Sequence, residues 1–411
     1  MPSLKSILSV ASAFTALACG AVIPRAEQYG VECPAPAASS TPELLPNGKA
    51  IYFMTNARPN QIVALPINND GTLSEGTLTP TGGDGSVEVD ATTGKPTVPD
   101  ALASQGAVRV VGQHLFVVNA GSNTISMFEI NKADPTKLTL LGRPVSSGGE
   151  FPVTIGVSQK HKIACVANTG AKDGIACAAF SALGLGAMDS LRPFNLKQKT
   201  PPTGPENTVS DSFFNLDETA LITTVKGNPA VNNVGFMSVF PVVNGDLSTQ
   251  DIKSSPPGTA VLFGFTPIPG TENLFVTDAS FGAAIMTIDQ VSTAALDIKT
   301  PIADQKATCW TTISPFTNTG FVTDVANNHL VEMDLATGAI IKELKLNNGN
   351  PGMIDLEAAG AFIYALSPGN ATVKAAVTVF DVSAGPGKAQ QIQNFNPKGV
   401  TDTAQGMVAL A

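Results

Sequence analysis

The chain has 411 residues, with 24 Lys plus Arg against 33 acidic residues and a formal net charge of −9. Charged residues make up only 14%, whereas Gly and Pro number 38 and 30, a composition typical of short strands joined by many turns. The sequence has no run of basic residues, which argues against nucleic acid or an anionic membrane as a partner.

The first 21 residues have the features of a secretory signal peptide. Lys5 precedes an apolar stretch over 7–17, and the small residues that signal peptidase accepts occupy 18–21. A membrane anchor is the alternative, but the apolar stretch is shorter than the ~20 residues needed to span a bilayer. We therefore expect a soluble chain that is secreted and lies outside the cell or in the cell wall. A Pro/Ala/Ser-rich arm follows over 22–46.

Seven short apolar runs recur along the rest of the chain. Five of the seven end on Asn or Asp, whose side chains favour turns, and their spacing is close to that of propeller blades. They are Ile51–Asn56, Leu115–Asn119, Ile163–Asn168, Leu221–Lys226, Leu274–Asp278, Gly320–Asp324 and Phe362–Ser367. Only a closed ring buries both faces of such sheets. The sequence thus predicts an all-β fold, a seven-bladed β-propeller over 47–411.

A second apolar segment precedes most of these runs and is interpreted as the innermost strand of each blade. Examples are Gln105–Val111, Pro152–Val157, Cys309–Ser314 and Pro351–Leu356. The first blade has no such segment, but Gln405–Ala411 at the chain end resembles Gln105–Val111. We therefore expect the C-terminal strand to complete the first blade and close the ring, which leaves no open sheet edge.

Four cysteines follow the signal peptide, an even number that favours disulfides in an exported chain. Cys165 and Cys177 lie symmetrically about the turn at Ala171, so they face each other across one hairpin within bonding distance. Two buried free thiols are the alternative. By elimination, Cys33 in the arm pairs with Cys309.

One sequon, Asn370-Ala-Thr372, lies in the turn after the seventh run. A surface turn is accessible to the glycosylation machinery of a eukaryotic host. We expect a glycan on Asn370.

Two phrases, Asn119–Ser126 and Cys309–Pro315, resemble the seven-bladed lactonase family. The family includes 6-phosphogluconolactonases and fungal 3-carboxymuconate-lactonising enzymes. The likeness is closest to secreted fungal 3-carboxymuconate cyclase-like proteins and covers nearly all of 45–411. It implies chemistry that forms or opens a lactone, with a His, a Glu and Arg side chains at the mouth of the central channel.

The sequence departs from this family pattern at two places. The family's Pro-x-His is here Pro152-Val-Thr154, so the His is replaced by Thr154, and no Arg follows Arg192. The remaining catalytic candidates are Arg192 and Glu206, in the connection between the third and fourth blades; a solvated loop pair is the alternative. The histidines His114, His161 and His329 lie next to predicted turns, where we expect structural roles.

The predicted channel mouth is polar and neutral. The substrate-binding candidates are Gln105, Thr154, Asn207, Asn350, Gln405 and the only tryptophan, Trp310, which could instead pack in the core. Such a rim would bind a small polar molecule or a sugar.

No metal site is expected, because Cys and His show no zinc spacing and no calcium loop occurs. We also expect no cofactor and a monomer. Two functions remain: a carboxymuconate cycloisomerase or lactonase with a rearranged site, or a non-catalytic secreted or cell-wall propeller that serves as a binding module or antigen.

Overall fold

A computed structural model describes residues 48–411. The predicted signal peptide, the arm and Cys33 lie outside these residues. The described chain contains 32 strands and one short 3-10 helix, Pro229–Val231. Between residues 48 and 411, no helix is long and apolar enough to cross a membrane.

Thirty of the strands form seven sheets of four or five strands. The inner strand of each sheet contacts the inner strands of its two neighbours, and these contacts run once around a closed ring. From blade 1 to blade 7 the inner strands are β32 (Gln405–Leu410), β5 (Val108–Val111), β10 (Pro152–Ser158), β15 (Val209–Phe214), β20 (Leu262–Pro267), β24 (Thr308–Ile313) and β28 (Ile354–Ala359). The fold is the predicted seven-bladed β-propeller.

The second strand of each blade is buried almost throughout, because neighbouring blades cover both of its faces. The second strands correspond to the seven predicted runs and are β1 (Ala50–Met54), β6 (His114–Asn119), β11 (Ile163–Asn168), β16 (Ala220–Val225), β21 (Asn273–Asp278), β25 (Thr319–Asp324) and β29 (Phe362–Ser367). The third strands are β2 (Gln61–Pro66), β7 (Thr124–Ile130), β12 (Gly174–Ser181), β17 (Phe236–Val243), β22 (Gly282–Ile288), β26 (His329–Asp334) and β30 (Ala376–Asp381).

The outer strands are shorter or more exposed, as expected at the rim of the ring. They are β3 (Thr77–Pro80), β8 (Leu138–Leu140), β9 (Val145–Ser146), β13 (Gly184–Leu185), β18 (Asp246–Leu247), β19 (Ile252–Ser254), β23 (Ala294–Pro301), β27 (Ile340–Lys345) and β31 (Gln390–Phe395). Outside the blades, β4 (Val89–Asp90) pairs in parallel with β14 (Thr203–Gly204).

The C-terminal strand closes the ring as predicted. β32 pairs antiparallel with β1, with Ala50 opposite Leu410 and Met54 opposite Gln405. The last strand of the chain is therefore the inner strand of the blade that the first described strands began. No inner edge of blade 1 is left unpaired.

Asp residues at the ends of second strands hold the start of the inner strand in the same blade. The carboxylate of Asp278 accepts hydrogen bonds from the backbone N–H groups of Ala260 and Val261, just before β20. Asp324 accepts from Lys306 and Ala307 in the same way before β24. Each carboxylate satisfies two backbone donors that the turn would otherwise leave unpaired.

The hairpin of blade 3 carries the predicted disulfide. Cys165 on β11 and Cys177 on β12 are opposed in the register and joined by an S–S bond. Cys309 is a free thiol, 4% exposed. It is enclosed in the core beside Trp310. Because Cys33 lies outside the described residues, the bridge between Cys33 and Cys309 stays a prediction.

Asn370 is exposed in the turn that follows β29. Its side-chain oxygen accepts hydrogen bonds from Thr372 and Val373. The glycan on this residue stays a prediction.

Deleting residues 404–411 should open the ring and lower the free energy of unfolding by several kcal/mol, because blade 1 loses its inner strand. Thermal unfolding of the truncated chain measures the effect. Removing only the exposed Ala411 is the matched control and should leave the melting temperature unchanged. Equal melting of the truncated and full chains would contradict the pairing.

The thiols should differ in reactivity. When the protein is unfolded without a reductant, an alkylating reagent should modify Cys309 and leave Cys165 and Cys177 unmodified, since these two are oxidised. Peptide mapping by mass spectrometry measures the modification. Alkylation of Cys165 under these conditions is the contrary result.

Candidate functional site

Residues 100–105, here termed the channel plug, lie across the start of the inner strands. The hydroxyl of Ser104 donates to the carbonyl of Val153 on β10 at 2.9 Å. The backbone N–H of Gln105 donates to the carbonyl of Ser210 on β15 at 2.9 Å. The plug is thus bonded to the inner strands of blades 3 and 4.

The other side of the plug is bonded to blades 6 and 1. The Gln105 amide donates to the carbonyl of Thr311 at 2.8 Å and accepts from its N–H at 3.1 Å. The carbonyl of Ser104 accepts from the indole N–H of Trp310 at 3.1 Å and from the amide of Gln405 at 3.2 Å. The plug therefore spans the channel and fills its mouth.

Three of the predicted rim residues hold this plug instead of facing solvent. Gln105, Trp310 and Gln405 are buried, and each forms a hydrogen bond within or to the plug. Trp310 also packs edge-on against Phe263, with ring centroids 5.1 Å apart. Trp310 therefore packs in the core, which was the alternative to a position at the substrate-binding rim.

The other rim candidates have different positions. Thr154 is buried on β10 and its hydroxyl donates to Asp211 at 3.3 Å. Asn207 donates to the carbonyl of Leu196 in the connection that precedes β15. Asn350 does not reach the channel, because its amide donates to Thr378 and Asn394 on the third and outer strands of blade 7; these are hydrogen bonds of 3.1 and 3.2 Å.

The two catalytic candidates are separated. Arg192 binds both carboxylate oxygens of Asp189, at 3.0 and 2.7 Å, and the carbonyls of Leu247 and Ser248 beside the outer strand β18. These contacts fix it at the blade 3–blade 4 rim. Glu206, by contrast, lies close enough to Lys226 at the channel mouth to act on its pKa.

The mouth contains four ionisable groups, Glu88, Asp100, Glu206 and Lys226, here termed the mouth cluster. Lys226 follows β16 and is 1% exposed. Its ammonium donates to the plug carbonyl of Ala103 at 2.7 Å, to the carbonyl of Val209 at 3.2 Å and to the hydroxyl of Ser210 at 3.0 Å. Burial lowers the pKa of Lys226 to about 8.

Glu88 is fully buried, and neither of its carboxyl oxygens has a hydrogen-bond partner. The carboxyl group packs on Gly204 so closely that a Cβ there would lie 2.7 Å from the nearest carboxyl oxygen. Burial raises the pKa of Glu88 to about 8. Burial also raises the pKa of Asp100 to about 7, although Asp100 accepts a hydrogen bond from Gln405 at 2.9 Å. At neutral pH the Glu88 side chain is therefore uncharged.

A second group of charged side chains lies further along the channel. Arg109 on β5, Asp211 on β15, and Asp355 and Glu357 on β28 are here termed the channel cluster. Arg109 Nη2 is 2.7 Å from Asp211 Oδ1, and the guanidinium lies 4.7 Å from the centre of the Phe213 ring. This buried ion pair orients the guanidinium.

The two acids of β28 face the same guanidinium. Asp355 occupies a β-bulge, with φ of 38°, and its Oδ2 atom is buried without a partner. Burial raises the pKa of Asp355 well above its usual range and that of Glu357 to about 7, while Arg109 opposes both shifts. Bulges re-aim side chains, and six of the seven blades have one in the pairing of the inner strand.

The channel cluster is not sealed from solvent. The side chain of Arg109 is 13% exposed, and Phe213 and Glu357 are also partly exposed. Solvent therefore has access to this cluster while the plug is in place.

The sequence interpretation did not assign the channel cluster. A signal exists for three of its members: Arg109 interrupts the apolar strand β5, and Asp355 and Glu357 alternate with apolar residues in Ile354-Asp-Leu-Glu-Ala-Ala359. Residues of one parity share one face of a strand.

The three histidines of the chain lie away from both clusters. His114 contacts the Phe180 ring, and His161 contacts the carbonyl of Glu218. His329 pairs with Glu343 at 2.8 Å on the third and outer strands of blade 6. Within residues 48–411, no group of three or more His, Cys, Asp or Glu side chains is arranged to hold a metal ion.

Known proteins share this fold at low sequence identity. No protein-family model matches the chain, and no curated protein matches its sequence. The structure of a periplasmic gluconolactonase from Pseudomonas aeruginosa is similar with a TM-score of 0.61 and 14% identity, covering 88% of this chain and 99% of that chain. A putative 6-phosphogluconolactonase from Bacteroides uniformis is similar with a TM-score of 0.62 and 13% identity, covering 88% and 100%. These similarities establish the propeller fold.

Glu357→Gln should stabilise the protein at pH 8. The folded-state pKa of Glu357 is raised from 4.5 to about 7, so the folded state loses stability as pH rises through that interval. We expect a gain of about 1–2 kcal/mol at pH 8 and little change at pH 4. Denaturant unfolding of both proteins at the two pH values measures it.

The matched control for this measurement is Glu272→Gln, since Glu272 is exposed. It should change stability little at either pH. An equal effect of both substitutions would contradict the burial of a protonated acid at position 357.

Proposed function

We propose that this protein is a lactonase-like propeller that opens or forms a lactone at the channel cluster. The observation that carries the proposal is a guanidinium, Arg109, close enough to the Glu357 carboxyl group to act on its pKa, which burial raises to about 7. A group with such a pKa exchanges protons in both directions at the pH of the reaction. The fold supports the same proposal, since two similar structures are named for lactonases.

In the opening direction, Arg109 donates hydrogen bonds to the lactone carbonyl oxygen, where negative charge develops. The Glu357 carboxylate takes a proton from the attacking water and returns it to the ring oxygen as the ester bond breaks. Asp211 holds Arg109 in place at 2.7 Å. Lactone formation is the reverse of these steps.

The charge of the channel cluster selects the substrate. Asp211 neutralises Arg109, and Asp355 and Glu357 add further acidic groups, so a second or third carboxylate on the substrate meets no free cation. An uncharged lactone fits this environment better than a tricarboxylate. The resemblance to fungal 3-carboxymuconate cyclase-like proteins therefore supports lactone chemistry more strongly than it supports 3-carboxymuconate as the substrate.

The proposed place of action is outside the cell or in the cell wall. The signal-like residues 1–21 support export, and the disulfide between Cys165 and Cys177 is compatible with an oxidising compartment.

A non-catalytic binding propeller is the second candidate. The observation that favours it is the plug, which occupies the mouth where rim residues such as Trp310 and Gln405 would otherwise meet a ligand. In this case the purified protein neither opens nor forms lactones, and it binds its partner through its outer surface.

The activity test uses an uncharged sugar lactone, a phosphorylated sugar lactone and 3-carboxymuconate as substrates. We expect turnover of the uncharged lactone, and very weak or absent carboxymuconate cyclisation, because Thr154 replaces the family's His and the channel has no free cation. Introducing Thr154→His should not restore cyclisation. Proton release measures the opening of each lactone, and proton uptake measures cyclisation, which consumes one proton.

Substitutions assign the activity to the channel cluster. Arg109→Lys and Glu357→Gln should each lower the rate by about a hundredfold or more. Arg192→Lys, the same change at the blade rim, should leave it within about twofold. An inactive wild-type chain would favour the binding function, and an active Arg109→Lys variant would place the reaction elsewhere.

A further inference from the structure

The channel plug is attached to the mouth cluster through both its backbone and its side chains. The N–H of Glu88 donates to the plug carbonyl of Ala101 at 2.9 Å, and the ammonium of Lys226 donates to that of Ala103 at 2.7 Å. Asp100, the first plug residue, accepts from Gln405 at 2.9 Å. A change of charge in this cluster therefore acts directly on the plug.

The Glu88 carboxyl group is the unusual member. It is fully buried and both of its oxygens lack a partner, whereas Lys226 donates its hydrogen bonds to neutral acceptors. A buried carboxylate without hydrogen bonds is costly, and a protonated carboxyl group much less so. The closed arrangement is consequently compatible with an uncharged Glu88.

We propose that residues 100–105 form a pH-sensitive gate of the channel, locked while Glu88 is protonated and released when Glu88 loses its proton. Release allows the carboxylate to be hydrated, which the closed plug prevents. It also frees the indole N–H of Trp310 and the side-chain amide of Gln405, which both donate to the carbonyl of Ser104 when the plug is closed. The gate requires no enzymatic activity in the channel, so it is independent of the proposed reaction.

The direction of the pH effect follows from all the charged groups that face Glu88, which are Lys226, Asp100, Glu206 and Asp90. The closed-state pKa values of Glu88 and Asp100 are raised to about 8 and about 7, so the closed state holds their protons more tightly than an open, hydrated state does. The closed plug is then favoured below pH 4 and loses this advantage as pH rises to 8.

Lys226 acts in the opposite direction at higher pH. Its closed-state pKa is lowered to about 8 from 10.5, so the open state binds more protons above pH 8, and a further rise in pH favours closure. Asp90 and Glu206 are both partly exposed. The gate should therefore be most open near pH 8.

Trp310 is a built-in reporter, because it is the only tryptophan and its indole N–H is bonded to the plug. Quenching of its fluorescence by acrylamide, which is uncharged, measures its exposure. In the full wild-type chain we expect the quenching constant to rise about threefold or more from pH 5 to pH 8, and to fall again by pH 9.5. A constant that does not change between pH 5 and pH 8 would overturn the gate.

Variants test the assignment to Glu88. Glu88→Gln keeps an uncharged side chain of the same shape, so its quenching constant should rise much less between pH 5 and pH 8 than that of the wild type, with only the contribution of Asp100 remaining. The exposed Glu272→Gln is the control and should behave like the wild type. A Glu88→Gln variant that responds to pH as strongly as the wild type would contradict the proposal.

A second measurement needs no substitution and covers the case in which these variants fail to fold. Amide hydrogen exchange of wild-type peptides that contain residues 101–105, corrected for the intrinsic pH dependence, reports opening of the plug. We expect protection at pH 8 to be about tenfold lower than at pH 5, because one pKa unit of difference corresponds to a tenfold change in the equilibrium. Equal protection at both pH values would exclude the gate.

Discussion

The pairing of β32 with β1 is the constraint on which both the ring and its channel depend. It joins the last strand of the chain to the first described one, with Met54 opposite Gln405. It also places Gln405 at the channel mouth, where its amide binds Asp100 and Ser104 of the plug. Ring closure and channel closure therefore share one residue, and opening the ring would disrupt the plug as well.

Enclosure of the channel by seven sheets determines the chemistry inside it. Burial raises the pKa values of Glu88 at the mouth and of the partly exposed Glu357 further along, so both carboxyl groups keep their protons to about neutral pH. These groups reduce the stability of the fold above their usual pKa values. Proteins retain such groups mainly where they serve a function, so the two clusters are the strongest functional candidates in the described residues.

The blades could be predicted from the sequence, because each buried strand is a short apolar run that can be recognised without knowledge of its partners. A run such as Leu274–Asp278 is mostly apolar and ends on Asp278, which binds the start of the inner strand of the same blade. The Cys165–Cys177 bridge follows from the same local geometry. The bridge expected between Cys33 and Cys309 rests on elimination alone, and Cys33 lies outside the described residues.

The site was less predictable for two different reasons. Arg109 and Asp355 carry a local signal, because each is a charged residue within an apolar inner strand. The family pattern predicted Arg192 as the catalytic arginine instead. The plug carries no periodic signal, because its path is determined by partners far away in sequence such as Thr311 and Gln405. Contacts of that range become visible only when the whole ring is assembled.

The two ends of the channel contain different groups. The proposed gate and the proposed lactone reaction therefore depend on different residues. At the start of the inner strands, Lys226 and an unpartnered Glu88 surround a segment of the chain itself. Further along, Arg109 has its own buried carboxylate, Asp211, at 2.7 Å. A charge change at Glu88 acts on the hydrogen bonds that hold the plug, whereas Arg109 and Asp211 are held by each other. The channel can therefore change its accessibility without losing the arrangement of its acids and its guanidinium.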